Sequence, residues 1–115
     1  MIVCGIDPGL ESVGFGFIEY TNNKPKYLNH GVIKTSSSKS TQERLFTIQE
    51  DLHFLINKYN PNSFAIESLF FNKNTTTAML VAQARGVILL TCHNHSNNID
   101  SYTPLQIKSN VCGYG

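Results

Sequence analysis

The sequence predicts an α/β fold: a mixed five-stranded sheet flanked by helices. Two observations carry this. Three strand-like runs joined by short turns open the chain, and after them helical and strand-like segments alternate. Two of the apolar strand segments also end on a carboxylate, in Gly5-Ile6-Asp7-Pro8-Gly9 and in Phe64-Ala65-Ile66-Glu67. Open α/β sheets bind ligands beyond the carboxyl ends of their strands, so both acids stand where a site is expected.

The elements follow in order. Residues 2–6 are mostly apolar and form a buried strand, which Pro8 ends because it cannot donate a ladder hydrogen bond. Residues 13–18 form the second strand, where Gly14 and Gly16 permit close backbone approach or a bulge. Asn22-Asn23-Lys24-Pro25 makes a turn, and residues 27–35 form the third strand. These three are expected to pair antiparallel. After a serine-rich loop, Leu45, Ile48, Leu52, Leu55 and Ile56 recur at helical spacing over residues 41–59. Glu43, Arg44, Glu50 and Asp51 fall on the side facing water, and Asn60-Pro61-Asn62 ends the helix. Residues 63–68 are short and apolar, the fourth strand. A second helix, from Thr75 to Cys92 with Asn74 and the threonines at its start, is apolar on several sides. Residues 99–102 are the fifth strand, and Thr103-Pro104 starts a further helix. Helical crossovers make strands one, four and five parallel.

A length of 115 residues and 41% hydrophobic content fit one globular domain, residues 1–115. The net charge of +1 neither requires nor excludes nucleic acid; any basic patch must be local. No apolar run approaches the roughly 20 residues of a membrane helix, and no signal peptide is evident. Cys4, Cys92 and Cys112 are odd in number and widely spaced, which suggests reduced thiols in a cytoplasmic protein. Cys92, His93 and His95 lack zinc-finger spacing and read as a helix end running into a polar loop.

If strands one and four are parallel neighbours, Asp7 and Glu67 lie at the same sheet edge. Paired carboxylates are hard oxygen donors suited to Mg2+ or Mn2+, and such a site supports phosphodiester cleavage. Taken singly, Asp7 could instead cap the Pro8-Gly9 turn and Glu67 be a strand-end charge. Glu11, in the turn after the first strand, could approach a metal. Asp100 lies within the fifth strand, and neither is a convincing third ligand.

Asn72-Lys73-Asn74, Gln83-Ala84-Arg85-Gly86 and Val111-Cys112-Gly113-Tyr114-Gly115 join the two acidic motifs in order. Together the five resemble the RuvC family of bacterial Holliday-junction resolvases, along the whole chain. The resemblance implies an RNase H-like fold and a homodimer formed through the helix from Thr75 to Cys92. It implies Mg2+-dependent nicking of four-way junction DNA, with Mn2+ as a possible substitute, and the branch-migration proteins RuvA and RuvB as partners. Asp7 and Glu67 match the first two of the family's four catalytic carboxylates. Phe70 matches the aromatic that wedges into the opened junction; Phe71 stands beside it, and one of the two rings can stack on an unpaired base while the other packs in the core. Lys73 and Lys108 could contact phosphates or be plain surface charges. Arg85, in an apolar helix, fits an intramolecular or subunit salt bridge as well.

The family runs on past the position of Gly115 into a basic segment and a helix carrying its last two acids in a D-x-x-D arrangement. With two of four carboxylates and without that C-terminal helix, residues 1–115 are expected to cleave junctions weakly or not at all and to leave part of the sheet uncovered. Two other functions stay open: a module that binds junctions without cutting, and a nucleotide-binding domain of an actin- or sugar-kinase-like protein, whose folds also open on a Gly-Ile-Asp-x-Gly turn. ATP-dependent thermal stabilisation would favour the last.

Overall fold

The computed structural model describes residues 1–68 and 75–102, without the side chains of residues 75, 76 and 102. Phe70, Phe71, Lys73, Asn74, the helix start at Thr103-Pro104, Lys108 and Cys112 lie outside the described residues. The elements are β1 (Ile2–Asp7), β2 (Ser12–Thr21), β3 (Lys24–Lys34), α1 (Thr41–Tyr59), β4 (Ser63–Glu67), α2 (Thr75–His93) and β5 (Ile99–Tyr102).

The strands form one sheet in the order β3-β2-β1-β4-β5. β1–β2 and β2–β3 are antiparallel, and β1–β4 and β4–β5 are parallel, as the crossovers predict. The β2–β3 turn is tighter than expected. Asn22 and Asn23 both take positive φ, 54° and 63°, and form a two-residue turn. Lys24 and Pro25 therefore belong to β3, where an edge position tolerates the missing N–H of Pro25. A bulge at Leu28, where the register shifts between Phe17 and Ile18, absorbs one extra residue in β3.

Both helices pack on one face of the sheet. Cys4 and Ile6 of β1, Val13 and Phe17 of β2, and Phe64 and Ile66 of β4 meet Ile48, Leu52 and Ile56 of α1 and Ala84, Ile88 and Cys92 of α2, all buried. Alternation along each strand dictates this division. Tyr59 at the end of α1 stacks on Phe17 with ring centroids 4.4 Å apart and accepts a hydrogen bond from Asn29 Nδ2 at 2.9 Å, which fixes α1 over the β2–β3 pair. Ser40 and Glu43 close a capping box at the start of α1, and Asn60 ends it in the left-handed region at φ 49°.

Candidate active site

Asp7 is the last residue of β1, and the turn after it is anchored from below. Thr35 Oγ1 donates to the Leu10 carbonyl at 2.6 Å, and Thr35 N donates to the Glu11 carbonyl at 2.9 Å. Arg44 Nε in turn donates to Thr35 Oγ1 at 2.9 Å. Arg44, expected on the water-facing side of α1, therefore braces the turn that presents Asp7. The turn also needs its glycine, since a Cβ on Gly9 would stand 2.2 Å from the Ser12 carbonyl oxygen. Across the β1–β2 ladder Asp7 pairs with Gly14, which leaves the carboxylate uncrowded on that side.

Glu67 ends β4 behind three buried residues, Phe64, Ala65 and Ile66. β4 pairs with β1 up to Ile6 and Ile66, so Asp7 and Glu67 are neighbours one step further on. On the other side Glu67 pairs with Tyr102 of β5. Asp7 is exposed and Glu67 half-buried. Both line the end of a groove of about 260 Å³ on the sheet face away from the helices, floored by Gly5, Gly14, Gly16 and Ala65 and walled by Ile18 and Tyr20.

Burial, a hydrogen bond to the Asp7 side chain and the like charge of Asp7 together push the Glu67 carboxyl up to about 7. The protonated form donates to Asp7; the ionised form faces a second anion. A divalent cation between the two would replace that proton with a larger positive charge, so the donor set fits a hard metal ion such as Mg2+ or Mn2+.

The structure thus brings together the two acids expected at one edge. Glu11 is exposed in the turn and Asp100 is exposed on β5. Among the described residues no group of three or more His, Cys, Asp or Glu gathers. Arg85 Nη2 donates a hydrogen bond to Ser101 Oγ at 2.7 Å, tying α2 to β5. Cys4 and Cys92 are free and buried, with both thiols pushed up by burial. His95 Nε2 lies 3.0 Å from the Pro61 carbonyl.

The strand order, with carboxylates at the adjacent ends of β1 and β4, is that of an RNase H-like protein. Residues 3–115 match the family model described as crossover junction endodeoxyribonuclease RuvC, and the chain belongs to the RuvC family. It is 52% identical to the RuvC of Alkaliphilus oremlandii and 51% identical to that of Alkaliphilus metalliredigens, in each case over all of this chain and 70% of the relative. Among solved structures, T. thermophilus RuvC in complex with Holliday junction substrate superposes with a TM-score of 0.86 at 29% identity, over 100% of this chain and 70% of that one. The family is one of hydrolases that cut DNA. No described helix is long and apolar enough to cross a membrane.

Proposed function

We propose that this protein resolves four-way DNA junctions by hydrolysing phosphodiester bonds at Asp7 and Glu67. The observation that supports this most directly is the carboxylate pair itself, adjacent at the open mouth of β1 and β4 in a chain of the RuvC family. In the reaction a water oxygen bonds to phosphorus, one P–O bond to a sugar breaks, and the leaving oxygen takes a proton. Two carboxylates alone repel a phosphodiester. A bound Mg2+, or Mn2+ in its place, would reverse the local charge, polarise the phosphoryl oxygen and make water a better nucleophile. Asp7 and Glu67 would hold it.

Phe70 and Phe71 are proposed to open the junction beside this site, and Lys73 and Lys108 to contact its phosphates. A homodimer through α2 would present two sites to two opposed strands. Exposed Met79, Ala82, Gln83, Gly86 and Leu90 lie on one side of α2, and the small Ala82 and Gly86 between larger ends suit close approach of a second helix. RuvA and RuvB as partners and a cytoplasmic location complete this reading. Residues 1–115 as one domain bring two carboxylates together, so this polypeptide alone is expected to cleave slowly or to bind without cutting. The direct experiment incubates purified protein with a labelled four-way junction and Mg2+ or Mn2+. Slow symmetrical nicking, or a shift of the junction but not of linear duplex, supports the reading, with nicking abolished in Asp7→Asn. The absence of both nicking and selective junction binding would sink it.

A further inference from the structure

Asp7 is exposed, and its carboxylate meets only its fellow site residue Glu67 among the hydrogen-bond partners that bear on the site. Its place is therefore set by the backbone that carries it, and that backbone is stiff. Pro8 has a fixed φ and is buried. A Cβ on Gly9 would strike the Ser12 carbonyl oxygen at 2.2 Å, and Leu10 is buried in the core. A displacement at Leu10 is thus passed back to Asp7 rather than absorbed between them.

Thr35 grips this turn at two successive carbonyls. Its N–H donates to the Glu11 carbonyl at 2.9 Å, one step beyond the Ser12–Lys34 pair of the β2–β3 ladder. Its Oγ1 donates to the Leu10 carbonyl at 2.6 Å. A hydroxyl has a single proton, and Arg44 Nε, which can only donate, reaches the same oxygen at 2.9 Å. Arg44 thereby aims the Thr35 proton at Leu10. Arg44 is itself fixed, because it stands in the first turn of α1, which the Ser40–Glu43 capping box closes. The start of α1 is thus connected to Asp7 through two side-chain hydrogen bonds in series and a stiff turn. We infer that Thr35 and Arg44 are positioning residues for the metal-dependent reaction: as one relay they hold Asp7 where a single divalent cation can bridge it to Glu67. The inference rests on the resolvase reading. Its rival is that the relay only stabilises the fold.

The test measures Mn2+ binding at pH 7.5 by the loss of the free-ion EPR signal, with urea unfolding of the same samples as the measure of stability. It compares the unmodified protein with Thr35→Val, which keeps the shape and loses the hydroxyl, and Thr35→Ser, which keeps the hydroxyl. Arg44→Met, the Thr35→Val/Arg44→Met double variant and Asp7→Asn complete the set. Thr47→Val is the control, because it removes a comparable hydroxyl bond, 3.1 Å to the Glu43 carbonyl, within α1. Thr35→Val and Arg44→Met should each weaken Mn2+ binding about tenfold. The double variant should bind no worse than the weaker single variant, as members of one relay do. Thr35→Ser should restore binding, and Thr47→Val should lose stability with its Mn2+ affinity intact. Unchanged Mn2+ affinity in Thr35→Val and Arg44→Met, however much stability they lose, overturns the positioning role. So does an equal loss of affinity in Thr47→Val, or a double variant whose loss is the product of the two single losses. Arg44→Met leaves the core side chains in place, so it decides the question if Thr35→Val fails to fold. If the unmodified protein binds Mn2+ no better than Asp7→Asn, the metal site falls and the positioning role with it, whereas the relay can fail alone with that binding intact.

Discussion

Glu67 shares a hydrogen bond with Asp7 across the ends of two parallel strands, and the contact holds the Glu67 carboxyl up to about 7. Both causes, partial burial and a like charge next door, favour the protonated form in the absence of a cation. Removing one partner should therefore change the other. In Asp7→Asn the charge repulsion on Glu67 is gone and its carboxyl should move back toward the ordinary carboxylate range. Carbon-13 NMR of the glutamate side-chain carboxyls across pH 4–9, without metal, reads this directly. A Glu67 resonance that titrates identically in both proteins would show that Asp7 does not act on it.

The same pair sets a pH dependence of stability with a definite sign. The folded-state pKa of Glu67 is raised above its unfolded value of about 4.5. Its contribution to stability is thus fully present below pH 4.5 and is lost as pH rises through about 7. Because the group is half-exposed, solvent screening keeps the effect small. In EDTA, Glu67→Gln should flatten the decline in urea midpoint between pH 5 and 7.5. An equally steep decline in the variant would place the effect elsewhere.

A divalent ion should act in the opposite direction, because it binds the folded pair and competes with the proton. At pH 7.5, Mn2+ at ten times its dissociation constant stabilises by about 1.4 kcal/mol, a rise in Tm of about 5 °C for a domain of this size. The rise should shrink at pH 5.5 and disappear in both Asp7→Asn and Glu67→Gln. Equal stabilisation of the variants would mean that the ion binds at another place.

Much of this site is legible in the sequence. A carboxylate that ends an apolar run just before Pro-Gly marks a strand mouth, and Asp7 and Glu67 both end strands; the alternation of helix and strand makes β1 and β4 parallel. The raised pKa of Glu67 is not legible, because it depends on a register that only the paired strands define. Helical periodicity puts Arg44 on the solvated side of α1, but it does not see Thr35 reaching up from the end of β3. Residue type alone puts Pro25 in a turn. It lies in β3 because an edge strand does not need its N–H.

Gly9 provides a stability test of the turn behind Asp7. A Cβ there would meet the Ser12 carbonyl oxygen at 2.2 Å, a backbone atom that cannot swing aside, whereas a Cβ on Gly5 meets nothing within 4 Å. Gly9→Ala should destabilise by about 1–3 kcal/mol, and Gly5→Ala far less. Urea unfolding of the two variants separates them. Gly9→Ala should also displace Asp7, so its Mn2+ affinity should fall beyond what the stability loss explains. Equal unfolding midpoints for the two variants would show that the turn relaxes freely.

Helix α2 carries the last prediction. Exposed Met79 and Leu90 flank Ala82 and Gly86 on a surface with no charged residue among the five that form it. If this surface meets its own copy, the small residues sit where the two helices cross, and a large cation there is the most disruptive change. Gly86 has open space around its Cβ position within the protomer, so Gly86→Lys should leave the monomer fold intact. Its intrinsic helix propensity should even rise. Analytical ultracentrifugation is expected to show a dimer for the unmodified protein and a monomer for Gly86→Lys at micromolar concentration. Glu67 should keep its raised pKa in both, because that pair lies on the opposite face of the sheet from α2. A variant that remains dimeric would move the interface away from α2, and loss of the Glu67 shift along with the dimer would mean that the carboxylate pair depends on the partner copy.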